Sequence, residues 1–256
     1  MIEIERLQAQ LHYAAAQNLE RVEVPPFVCY FHPTETAVFT NYAIPLEPID
    51  QNPAALAQLK ITFQQRNRTP RFEYLEAFAP NLAFILQASG FVEEMRSYLM
   101  ACTPQTLTPL PNNVALAIRL LTNDEPVALR QAFVTIQGRS FGSADAPMAT
   151  EAAANATWQQ FSGVGKFMAW WEEEPVAVGS LTQAHDGIAE VAGIATLSDF
   201  RKRGIGTAVT HYITAHAFAQ GLEAVFLTAG DERADRVYAQ VGYQPMGAGL
   251  AYLLSF

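Results

Sequence analysis

Residues 188 to 220 read IAEVAGIATLSDFRKRGIGTAVTHYITAHAFAQ. An apolar, β-prone run ends at Leu197, a short turn carries Arg201, Lys202, Arg203, Gly204 and Gly206, and a helical pattern starts at once. In a strand, glycine loop and helix of this kind, the first-turn N–H groups have no partner inside the helix. Glycines let an anion come close to them. Neither GxGxxG nor GxxxxGK[ST] is present, which sets aside a dinucleotide fingerprint and a P-loop. The stretch is expected to cradle a pyrophosphate by some other scheme.

The bulk properties narrow the field. The chain has 256 residues, half of them hydrophobic and 16% charged, enough for one large or two modest globular domains. No apolar run approaches the roughly 20 residues of a membrane helix. The N-terminal MIEIERLQAQ is charged and amphipathic rather than signal-like, so a cytoplasmic protein with no membrane partner is expected. Cys29 and Cys102 stand far apart without CxxC spacing, and the five histidines form no HExxH. Buried thiols and no metal are the expectation. A formal net charge of −9 argues against a nucleic-acid partner, which needs clustered Lys and Arg.

Along the chain, periodicity predicts a helix over 3–20, strand runs over 22–31 and 36–43 forming a hairpin, and a helix over 53–65. A strand over 71–76, a helix over 81–88 and a strand over 92–102 follow. TPQTLTPLPNN, residues 103–113, is the best linker, and places a boundary between domains 1–112 and 113–256. Beyond it, strands are expected over 114–121, 166–171, 176–182, up to Leu197, 224–228, 243–246 and 249–255. Helices are expected over 127–136, 150–161, 205–217 and 233–240. Residues 138–147 read as a mobile loop. Ile205, Ala208, Val209, Tyr212, Ile213 and His216 are expected to face the sheet.

The Arg-x-x-Gly-x-Gly loop after a strand, IRLLTNDEPVALRQAF at 118–133, and ADRVYAQVGY at 234–243 together resemble the GNAT superfamily of N-acetyltransferases. The resemblance covers 114–256. It implies an α/β (α+β) fold with a mixed, mostly antiparallel sheet flanked by helices. It also implies acetyl-CoA as co-substrate, held at Arg201, Lys202, Arg203, Gly204, Ile205, Gly206 and Thr207, with pantetheine along the backbone of Ile194, Ala195 and Thr196. Tyr238 matches the tyrosine that protonates the departing thiolate, and Glu190 sits where histone-acetylating members place their general base. Ser198 stands where the family often has proline, and Asp231 where it often has asparagine.

Setting Gly90-Phe91 on Gly242-Tyr243 gives an offset of 152 that carries 71–76 onto 223–228 and 53–65 onto 205–217. The halves read as copies, two GNAT-like domains of which the first is degenerate; the alternative for the first half is an unrelated α/β domain. Without gaps, Ile49, Asn52, Ala54, Val38 and Leu86 stand at the positions of Arg201, Gly204, Gly206, Glu190 and Tyr238. The expected activity is direct acetyl transfer to a primary amine of a small molecule or peptide, by a monomer or homodimer. The alternatives are a non-catalytic acetyl-CoA-binding regulatory module, and an acyltransferase for a longer acyl group or a hydroxyl acceptor.

Overall fold

The structure is a computed structural model that describes residues 2–50, 53–109, 116–230 and 232–255, with 232 and 233 described by backbone alone. In chain order the elements are α1 (Ile4–Asn18), β1 (Glu20–Val24), β2 (Phe27–Phe31), β3 (Asn41–Pro45), α2 (Pro53–Gln65), β4 (Arg71–Leu75), α3 (Leu82–Ala88) and β5 (Phe91–Cys102). Then come β6 (Leu116–Leu121), α4 (Val127–Phe141), α5 (Glu151–Gln160), β7 (Gly165–Trp171), β8 (Glu174–Leu181) and β9 (Ile188–Thr196). The chain closes with α6 (Ile205–Ala219), β10 (Ala224–Ala229), α7 (Glu232–Val241) and β11 (Gln244–Leu254). Two compact units result: 1–99 with 228–232 and 245–256, and 100–227 with 233–244. The expected boundary at 112/113 lies outside the described residues. The last strand packs in the first unit.

In the first unit the strand order is β1-β2-β3-β4-β11-β5. β1–β2, β2–β3 and β4–β11 are antiparallel, while β3–β4 is parallel at Ala43↔Phe72. One face buries Phe27, Phe72 and Phe91 with edge-on rings 5.1 and 5.5 Å apart, together with Leu56, Leu59 and Phe63 of α2. Each such side chain contributes about 1.5–3 kcal/mol. The other face packs Val28, Tyr30 and Ile44 against Leu11 and Ala15 of α1.

In the second unit the order is β10-β9-β8-β7-β6, antiparallel except for the parallel pair β9–β10. One face carries a core of Phe133, Ile136, Trp158, Met168 and Val178 beneath α4 and α5. α6 covers the other. A side chain at Gly179 of β8 would meet Ile213 Cδ1 at 2.6 Å, so glycine is what lets this helix approach the sheet.

Several elements depart from the pattern reading. Pro25-Pro26 splits the run 22–31 into β1 and β2, since proline supplies no ladder donor. The run 36–43 starts as a 3-10 turn at Val38–Thr40 before entering β3. α4 passes through Gly138 to Phe141, shortening the expected loop. The two expected final strands are one, β11. On α6 the buried stripe is Ile205, Val209, Thr210, Ile213, Thr214 and Ala217, whereas Tyr212 is exposed. The buried threonines are satisfied: Thr210 Oγ1 donates to Gly206 O at 2.9 Å, and Thr214 Oγ1 shares a 2.7 Å hydrogen bond with the Tyr243 hydroxyl.

Candidate functional site

The loop between β9 and α6 is built as a turn that ends in left-handed backbone. Ser198–Phe200 forms a 3-10 turn, Lys202 has φ +63°, and Gly204, the residue capping α6, has φ +75°. A Cβ at Gly204 would meet nothing within 4 Å, so backbone conformation and not crowding calls for glycine there. No side chain caps α6. The amides of Ile205, Gly206 and Thr207 therefore open toward whatever lies beyond the helix, with the positive end of the helix dipole behind them. This geometry fits an anion such as a pyrophosphate.

The three cations of the loop play different parts. Arg201 Nε donates to Thr196 O at 3.0 Å, fastening the loop to the end of β9. Arg203 Nη2 donates to Asp199 O at 3.2 Å, and its guanidinium lies 5.4 Å from the centre of the Trp171 ring and 5.2 Å from that of Phe200. Lys202 is exposed between them. Trp171 is thus a stacking platform for the loop.

The strand edge beside the loop is open for a local reason. β9 pairs with β10 at Ile188↔Ala224, Ala189↔Val225 and Glu190↔Phe226, and then runs on to Thr196. Its pairing with β8 jumps from Val178↔Ala195 to Ser180↔Ala192, a bulge that sets Gly193 and Ile194 against Gly179. Gly193 has φ +63°, and a Cβ there would lie 2.9 Å from Gln137 Nε2 of α4. Ile194 lies in that bulge, and Ala195 and Thr196 follow it. The sequence reading passed over both the bulge and Gln137, although a glycine inside a strand pattern is the signal that marks one.

Glu190, half-buried, sits at the last position of β9 that pairs with β10. Its amide donates to Thr182 Oγ1 at 2.8 Å and its carbonyl accepts from Thr182 N at 2.9 Å, which fixes its backbone. Tyr238 is half-buried on α7, its ring 6.1 Å from that of Tyr243. That end of α7 is held firmly. Thr108 N donates to Val241 O at 3.0 Å, and a side chain at Gly242 would lie 1.9 Å from Thr106 O. Burial pushes the Tyr243 phenol far above its ordinary pKa, against the opposing effect of the Thr214 bond, so it stays protonated as an anchor. Asp231 lies outside the described residues. Among the described residues no group of three or more His, Cys, Asp or Glu is placed to hold a metal ion, and no helix is long and apolar enough to cross a membrane.

Residues 131–243 match the Acetyltransferase (GNAT) family, so the chain carries a GNAT acetyltransferase domain. Over its whole length it resembles a GCN5-related N-acetyltransferase from Kribbella flavida, with TM-score 0.82 and 25% identity across 100% of this chain and 97% of that one. A GCN5-related N-acetyltransferase from Sphaerobacter thermophilus shares the fold at TM-score 0.62 and 14% identity, over 89% of this chain and 80% of that one. So does a tandem GNAT protein from the clavulanic acid biosynthesis pathway, at 0.59 and 12%, over 89% and 77%. No curated protein sequence matches the chain significantly.

Proposed function

We propose that the second unit is an acetyl-CoA-dependent N-acetyltransferase that moves an acetyl group directly to a primary amine of a small molecule or peptide, and that the first unit is a degenerate copy without a coenzyme A loop. The observation that carries this reading is the uncapped first turn of α6 behind left-handed Gly204, at the end of a strand that outruns its parallel neighbour.

When bound, acetyl-CoA supplies a thioester whose acyl carbon is open to attack. The amides of residues 202–207 hold the pyrophosphate, with Arg201 keeping the loop against Thr196. Backbone groups of Ile194 to Thr196 align the pantetheine arm. An alkylamine with pKa about 10.4 is mostly protonated at pH 7, and freeing its lone pair costs about 4–5 kcal/mol. The Glu190 carboxylate takes that proton, directly or through a water. The Tyr238 phenol, pKa about 10 in water, gives its proton to a thiolate whose acid has pKa about 8.5, a transfer a weak donor can make.

The test is thiol release from acetyl-CoA with a panel of amines and peptides. Turnover with an amine, saturable in both substrates, is expected. Tight acetyl-CoA binding without turnover on any acceptor would instead favour a regulatory binding module.

A further inference from the structure

Among the described residues β1 has β2 as its one strand neighbour, which leaves its other edge without a partner. Bare edges are usually blunted by like charges that repel a second strand. β1 carries the opposite arrangement. Arg21 and Glu23 alternate in sign on one face, side chains 50% and 60% exposed, and pair with each other at 3.0 Å. β1 also borders a groove of about 400 Å³ shared with α2, lined by Val22, Val24, Ala55, Gln58 and Thr62, with Glu23 and Arg66 as its charged members.

We propose that β1 is a self-association edge, on which two copies of this chain pair their β1 strands antiparallel about a two-fold axis at Val22. In that register Arg21 of each copy lies opposite Glu23 of the other, so the pair within one strand becomes two pairs across strands. Sliding by two residues sets Arg21 opposite Arg21, or Glu23 opposite Glu23, so the charges select one register and one orientation. The groove admits the Val22 side of the incoming strand beneath α2 and its symmetry mate. A foreign segment would need the same alternation to fit; a second copy has it by construction. Two five-residue strands bury a small area, below the roughly 1,200 Å² of a tight complex, so the dimer is weak and depends on concentration.

Sedimentation velocity on the full chain, at low salt and up to about 0.5 mM, tests this. The wild-type mass should rise toward twice 28.1 kDa. Arg21→Glu and Glu23→Arg should each be monomeric, the combined swap should dimerise again, and the two single variants mixed should form a heterodimer. A wild-type chain monomeric throughout, single variants that dimerise like wild type, or a charge swap that fails to regain the dimer would each overturn the proposal. Circular dichroism checks folding, and the recovery in the double swap and in the mixture separates repulsion from unfolding.

Discussion

The parallel strand pair is built twice in this chain, and its two versions end differently. In the second unit β9 leaves β10 after Glu190↔Phe226 and continues for six residues along an open edge into the glycine loop. In the first unit β3 stops at Pro45, two residues past Ala43↔Phe72. Matching the pairs puts Ala43 with Ile188, an offset of 145, and Phe72 with Ala224, an offset of 152. Seven residues are thus lacking between β3 and β4, and they cover the length of the open edge. By this register Pro45, not Val38, stands where Glu190 does.

The first unit also fills the space that the second leaves open. Gln8 of α1 reaches past the last strand pair: its Nε2 donates to Pro45 O at 3.3 Å and its Oε1 accepts from Leu75 N at 3.2 Å. His12 adds a 3.0 Å hydrogen bond to Pro45 O and another to the Tyr30 hydroxyl. α2 then begins with Pro53, which has no N–H to offer. Where the second unit leaves a strand edge open, the first has a helix that bonds both strand ends.

The largest effect is expected at Gly204. Gly204→Val should weaken acetyl-CoA binding by more than about 100-fold, because a β-branched residue resists left-handed backbone. Gly204→Asn should lose less, since asparagine tolerates φ near +75° and space is open there. Equal losses for Val and Asn would mean that crowding, not conformation, shapes the cradle. Next comes Tyr238→Phe, expected to lower kcat by about 100-fold with acetyl-CoA affinity unchanged. Undiminished kcat would make Tyr238 a packing residue like Tyr243.

In the first unit, Gln8→Ala takes away the acceptor of the Leu75 N–H while Pro45 O keeps its His12 bond, and should cost about 1–3 kcal/mol in urea unfolding, without creating a second acetyl-CoA site. The smallest effect is pH-dependent. Burial holds the His12 imidazole below its ordinary pKa, outweighing the Pro45 bond. Its contribution is present above about pH 6.5, the unfolded value, and is lost as pH falls through the lower folded value. Hydrogen exchange in α1, corrected for intrinsic rates, should accelerate below pH 6.5 in the wild type and change less in His12→Gln.

The second unit was the more legible half because its chemistry is written in backbone demands: glycines at 204 and 206, cations beside them, and a periodic helix behind. The correspondence between the halves keeps a constant offset from α2 onward and loses it before α2, where the first half is seven residues shorter. Gln8 could not be read as a plug, since a glutamine on an amphipathic helix looks solvent-facing until two strand ends are brought beside it. The placement of β11 in the first unit leaves no local signal either, because strand pairing across such a distance is set by tertiary packing.

Of the parallel strand pairs β3–β4 and β9–β10 among the described residues, only the second is proposed to hold acetyl-CoA. Isothermal titration of the full chain with acetyl-CoA counts the slots directly. A stoichiometry of one per chain is predicted, and two equivalents bound would contradict it.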